Sequence, residues 1–329
     1  MPVRGIARGG EKEALRCGME TFVHSISSVM IILMLTAVGY FCGARHWMGQ
    51  ETKAFIGRFL LSLAVPCMCI YSLKTSVDRD MLEQSGKMLL TVFLCSALSF
   101  LAAYIFARLL RVPRRRFGPF LVMCALSNSM FVGAAMCTEL FGESSMPYVM
   151  LYFCISTGFT QTVGMGLIRW SGTNDSGFSP AMFAKLLKLP TIWGVVIGYL
   201  LVLADIDLPP LVMAFGKYMN GVVTPLALLL TGYIIYEIGL KNLRADRILT
   251  AALIFRFLLA PALCWMFCLL LGVGGLGRSV FVVEAAMPVV TQTVVASSEY
   301  GADEQFAAQG AAVSTLACFV VIPVLMMLL

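Results

Sequence analysis

Charge is scarce in this chain of 329 residues. Asp, Glu, Lys and Arg make up 13% of it, roughly half of what soluble domains carry. Hydrophobic residues reach 59% and mean hydropathy is +0.87, which excludes a water-soluble globule. Histidine is nearly missing: only His24 and His46 occur, both at the ends of apolar segments. Two such residues cannot build a histidine metal centre, and no metal-binding motif accompanies them. No paired aspartates, His-Glu-x-x-His or nucleophile–base set is visible, so nothing supports an intramembrane enzyme. A sizeable soluble signalling domain is also lacking, which argues against a receptor. Cysteine is not scarce, at 11 residues, but all except Cys17 sit in apolar runs. There they read as small buried side chains rather than disulfides or metal ligands.

What the sequence does contain is long apolar segments, each near the roughly 20 residues that a bilayer crossing needs. Ten are expected, at about 25–44, 54–73, 88–107, 118–138, 148–168, 183–204, 211–236, 248–272, 279–299 and 306–329. The second and sixth require Arg58, and Lys185 with Lys188, to snorkel to the interface. The expected organisation is a tail over 1–24, five helices over 25–170, a polar linker over 171–182 and five more helices over 183–329.

The halves repeat at an offset of about 159 residues. Gly39-Tyr40 answers Gly198-Tyr199, Pro66 answers Pro225, and Ser156-Thr157 answers Ser314-Thr315. The stretch ALSNSMFVGAAMCTELFG from Ala125 parallels AAMPVVTQTVVASSEYG from Ala285. Five spans per copy is an odd number, so the second copy enters the membrane from the opposite side and the repeat is inverted. An all-α integral membrane protein with this arrangement describes a secondary transporter.

The net charge of +6 lies in short loops, where basic residues act as topology signals and lipid-headgroup contacts rather than as a nucleic-acid surface. One side gathers Arg45, Lys53, Arg108, Arg111, Arg114, Arg115, Arg116, Arg169, Lys185, Lys188, Lys241, Arg244 and Arg247. The other has Lys74, Arg79, Lys87 and Arg278. The richer side is expected in the cytoplasm, with both termini outside the plasma membrane. The basic tail (Arg4, Arg8, Lys12, Arg16) opposes this, and a translation start at Met19 would remove the conflict.

Two spans carry interruptions at mid-membrane depth. Asn128 lies about 16 Å past Phe117 at helical rise, and Pro288 about 15 Å past Arg278. Pro288 removes a backbone donor, while Asn128, Ser129 and Gly133 loosen the other copy. Irregular backbone at this depth is tolerable only where it lines a cavity or is buried in protein. Half-helix N-termini meeting there would face a bound anion. Thr291 and Gln292 follow the proline as further candidate ligands. Arg256, inside AALIFRFLLAP, should face a partner or a cavity and is a candidate anion contact. Glu284, one turn before Pro288, is the candidate for coupling to sodium or protons. Pro66 and Pro225 read as hinge or scaffold kinks, and Arg111–Phe117 as an anionic-lipid contact.

From about Ser25 onward the chain resembles the auxin efflux carrier family of the bile-acid/sodium symporter-like superfamily. The patches are AVGYF, LAVPCMCIYSL, SNSMFVGAAMCTELFG, VVTPLALLLTGYII, and VVEAAMPVVTQTVVASSEYGAD followed by AAVSTLACFVVIPVL. The resemblance implies ten spans in two inverted repeats, with helices 4 and 9 interrupted and crossing. It implies a scaffold and dimer surface from helices 1, 2, 6 and 7, and a moving transport domain from helices 3–5 and 8–10. The family's site Asn and Pro fall on Asn128 and Pro288. A homodimer exporting a small organic anion, a mono- or dicarboxylate, by elevator-like alternating access is the implied function. The alternatives are a channel or a non-transporting receptor of the same fold. One departure stands out: the family's Gly-x-Pro after the first Asn is Gly133-Ala134-Ala135 here, so the first break has no proline.

Overall fold

The computed structural model describes residues 26–77, 79–173, 184, 187–239 and 246–329. The N-terminal tail, the Met19 start, most of the expected linker, and Lys185, Lys241 and Arg244 lie outside the described residues. Those that are described are all-α, without a strand element. Seven of the described helices are long and apolar enough to cross a membrane. They are α1 (Ile26–Ala44), α2 (Gln50–Ser76), α3 (Arg79–Leu109), α5 (Glu143–Thr173), α7 (Pro210–Ile238), α8 (Arg247–Leu270) and α10 (Glu304–Met326). The shorter α6 (Pro190–Leu203) occupies the expected sixth segment. The expected fourth and ninth segments are each broken, into α4a (Arg114–Ala125) and α4b (Ser129–Phe141), and into α9a (Gly275–Ala285) and α9b (Gln292–Glu299). α5 runs three residues into the expected linker, where the buried Ser171 hydroxyl accepts from the Gly118 N–H at 2.7 Å.

Small residues set the helix packing, as expected where lipid removes any hydrophobic drive between helices. Gly39 of α1 lies against the Leu229 backbone of α7, and Gly232 of α7 lies against the Thr36 carbonyl of α1. A side chain at either position would collide with main chain. Gly194 of α6 packs on Pro66 of α2, and Gly198 on Cys69 and Leu73 one turn further along. The Gly-Tyr patches and Pro66 in the sequence are therefore contact points. Pro225, by contrast, sits inside an uninterrupted α7.

Among the described residues four helices contain a π turn, in which one extra residue widens the coil: Leu60–Ala64 in α2, Ser129–Gly133 opening α4b, Thr160–Gly164 in α5 and Phe255–Leu259 in α8. Two of them precede a proline at the second following position, Pro66 and Pro261. The missing N–H and bulky ring of proline cannot continue a regular turn, and the wider coil accommodates both. The Leu61 carbonyl, orphaned ahead of Pro66, accepts instead from the Thr191 hydroxyl at 2.9 Å. The other two π turns end in Gly133 and Gly164.

At the arginine-rich end, Arg116 ties three helix starts together. It bonds Asp303 at 2.7 Å and pairs with Asp246, which cap α10 and α8 respectively, and its guanidinium lies 5.0 Å from the Phe306 ring centre. Arg115 donates to the Gly301 carbonyl and Arg114 to the Trp170 carbonyl, both at 3.0 Å. Arg114 and Arg115 of the run expected to contact lipid are exposed and also bond protein, because the last turn of α5 and the bend after α9b leave carbonyls within their reach.

Candidate functional site

The two breaks meet. Leu126 is extended (φ −118°, ψ 135°), and Asn128 (φ −82°, ψ 66°) starts the next helix. In the second copy the chain leaves α9a after Ala285 and re-enters helix at Gln292. Ser127 and Val289 form an isolated antiparallel bridge, and the Asn128 N–H donates to the Pro288 carbonyl at 2.8 Å. Each break therefore satisfies backbone that its own helix has abandoned, which hydrocarbon surroundings require. Side chains add to the joint: Asn128 Nδ2 donates to Thr291 Oγ1 at 3.3 Å, and the Val289 N–H to Ser314 Oγ at 3.0 Å. The Asn128 carbonyl accepts from both Val132 (3.3 Å) and Gly133 (3.0 Å), which anchors α4b without a proline.

A cavity of ≈ 50 Å³ lies at this crossing, room for a few waters. Its walls are Ser127–Phe131 from the first break, Val290–Gln292 from the second, Phe153, Ser156, Thr157 and Thr160 from α5, and Leu61 from α2. Asn128, Ser129, Thr291 and Gln292, singled out in the sequence, are all among them. The first turns of α4b and α9b both contribute, and opening N–H groups have no acceptor within their own helix. The two N-terminal partial charges converge on one space. No cation lines it.

Behind the cavity lies a second, sealed layer. Arg256 is 0% exposed and does not touch the cavity. Its Nε donates to the Met287 carbonyl at 2.8 Å and Nη1 to the Cys124 carbonyl at 3.2 Å. One guanidinium therefore holds the backbone just ahead of both breaks. Its Nη2 has no partner among the described residues. Glu284, also fully buried, accepts a weak bond from the Cys137 thiol at 3.6 Å, while Oε2 has no partner there. Gly133 provides its room: a β-carbon at that position would sit 2.5 Å from both carboxylate oxygens. Gly133 and Pro288 thus support the crossing from behind, one by giving space and one by offering its carbonyl. Among the described residues no group of ligating side chains suits a metal ion.

All four π turns carry a residue of this region: Leu61, Ser129–Phe131 and Thr160 in the cavity wall, and Arg256 in the brace. Such bulges mark functional sites often. Sequence reasoning did not find Ser156, Thr157 or Thr160 as cavity residues. The doublet Ser156-Thr157, repeated at Ser314-Thr315, was the available signal.

A family model described as membrane transport protein matches residues 24–176 and 178–326. An uncharacterized transporter of Methanocaldococcus jannaschii is 23% identical over 301 residues, covering 89% of this chain and 95% of its own length. Another, from Methanothermobacter thermautotrophicus, is 24% identical over 305 residues, or 92% of this chain and 97% of its own. The uncharacterized transporter YfdV of Escherichia coli matches at 23% over 202 residues, 57% of this chain and 60% of its own.

Proposed function

The chain belongs to the membrane transport protein family, the auxin efflux carriers, and from that premise we propose that it is a secondary transporter of a small organic anion, a mono- or dicarboxylate, in the plasma membrane. The observation that carries this reading is the cavity where two helix N-termini converge beside Asn128 and Thr291. Partial positive charge and amide and hydroxyl donors suit a carboxylate. The absence of a lining cation suits a ligand that must also leave. Elevator-like movement of α3–α5 and α8–α10 past α1, α2, α6 and α7, in a homodimer, is the proposed mechanism. Leu61 of α2 is the one wall residue from the second group, so such sliding would carry the cavity past it.

Glu284 supports coupling to a proton or sodium ion. A carboxylate oxygen with no partner in a buried layer is costly unless it is protonated or bound to a cation. Its layer is shared with Arg256, whose two bonds fix both breaks, so a change in charge at Glu284 would be felt at the crossing. Thermal stabilisation of purified protein by malate, malonate, succinate and indole acids, with and without sodium and at two pH values, tests both parts. A ligand at 100 times its dissociation constant adds about 2.7 kcal/mol. Selective stabilisation by a carboxylate supports the substrate class, and its loss of sodium or pH dependence in Glu284→Gln supports the coupling role. Stabilisation only by neutral or cationic solutes would overturn the anion reading.

A further inference from the structure

A second cavity of ≈ 210 Å³ lies beyond the first, between the later turns of α5 and α9b, with Met165, Val295, Glu299 and Tyr300 in its wall. Gln292 lines both cavities. Between them, Gln161 Nε2 donates to Gln292 Oε1 at 3.3 Å. We propose that the Gln161–Gln292 amide pair is a gate, separating the cavity at the helix crossing from a vestibule that leads to the arginine-rich end of the molecule. The proposal rests on the reading of the crossing cavity as the substrate site and adds a route to it.

Three features favour a gate over a simple packing contact. The pair joins two different helices at the one level where the cavities adjoin, and both side chains are only partly buried. A single long bond between neutral amides is weak once water competes for it, so it opens at little cost, and neither partner holds a charge that would trap a passing anion. Gln161 also belongs to the π turn Thr160–Gly164. Regularising that turn would rotate one side of the helix relative to the other by about 100°, enough to swing Gln161 away from Gln292. Beyond the pair, the vestibule reaches Glu299 and Tyr300, next to the Gly301 carbonyl that Arg115 holds. An anion arriving there would be released into basic surroundings, with Glu299 opposing its retention.

The test needs no knowledge of the substrate. Thr157→Cys puts a reporter thiol in the wall of the first cavity, and its modification by a charged, membrane-impermeant methanethiosulfonate is timed in nanodiscs. Counts from the protein without the reporter are subtracted to remove the native cysteines. Gln161→Ala and, separately, Gln292→Ala should each speed modification about fivefold or more, the factor expected for removing one hydrogen bond, with the melting temperature within a few degrees of the parent. Should Gln161→Ala fail to fold, Gln161→Asn replaces it, since the shorter side chain withdraws the amide while keeping its polarity. Modification at the parent rate in folded variants at both positions would overturn the gate, whatever the protein is found to carry.

Discussion

The two breaks at the crossing do the same job with different chemistry. The second contains Pro288, which cannot donate and so fixes the interruption locally. The first has no proline. It depends on Asn128, whose carbonyl takes two N–H groups and whose own N–H reaches the other break. Beneath them the asymmetry reverses: the first copy leaves space at Gly133, and the second fills it with Glu284. A repeat can diverge in this way because the crossing is a joint, and a joint needs each backbone group satisfied only once, from whichever side. The copy lacking a covalent device is the one that should be more sensitive to change.

Breaking the joint from behind should have the largest effect. Arg256→Met leaves the Cys124 and Met287 carbonyls buried without their donor, at about 1–3 kcal/mol each. A strong fall in melting temperature or loss of monodisperse protein is expected. Wild-type stability in Arg256→Met would show that the breaks hold without a brace.

Gly133→Ala comes next. Its methyl must displace the Glu284 carboxylate, and overpacking of this kind costs about 1–3 kcal/mol. The pairing of copies is then tested directly: Gly133→Ala combined with Glu284→Ala should recover much of the stability that Gly133→Ala loses relative to its own parent, whereas additive losses would show that the two positions do not compete for the same space.

The asymmetry of the breaks themselves is a smaller effect with a definite order. Asn128→Ala keeps the backbone bonds but loses the side-chain bond to Thr291, on the order of 1 kcal/mol. Pro288→Ala keeps the carbonyl that Asn128 uses and should cost less. Melting curves in the opposite order would contradict the view that the first break is the more dependent one.

The smallest effect lies outside the membrane. Burial pushes the Asp246 carboxyl up, but the Leu249 N–H and the Arg116 guanidinium outweigh it and hold the group below its ordinary value. A carboxylate with a depressed folded value contributes stability that is fully present above its unfolded value of about 3.9. That contribution is lost as the pH falls through the folded value. Asp246 is nearly half exposed, so solvent screening keeps the pair below about 1 kcal/mol. Asp246→Asn should therefore lower stability at neutral pH by less than about 1 kcal/mol and flatten the acid limb of the stability–pH curve below about pH 4, where the parent has itself lost the contribution. An unchanged acid limb would remove Asp246 from the contributors.

Much of this architecture is legible in the residues. Long apolar runs mark the helices, and Asn128 and Pro288 mark the breaks because proline, glycine and amides are conspicuous in apolar surroundings. Gly39 stands in the repeated Gly-Tyr patch, but its close contact with the Leu229 backbone is visible only in the structure. Less legible were the π turns, which leave no composition signal except a proline or glycine at their ends. Arg256 illustrates the limit: its position in an apolar run says that it needs partners, but backbone carbonyls 31 and 132 residues away have no side-chain signature. Expected to face a partner or a cavity, it is found bonded to those carbonyls behind the joint. Gln161 escaped notice for the converse reason, since a polar residue near the middle of a long helix gains its meaning only from Gln292 across the gap.

The central claim is that the crossing cavity beside Asn128 is where an anion is carried. Counterflow of a labelled dicarboxylate into proteoliposomes preloaded with the unlabelled compound, compared between the parent and Asn128→Ala, tests it most directly. The account predicts saturable counterflow in the parent and its loss, or a large rise in half-saturation, in a variant that still folds. Flux that rises linearly without saturation, counterflow untouched by Asn128→Ala, or no counterflow with any carboxylate would contradict it.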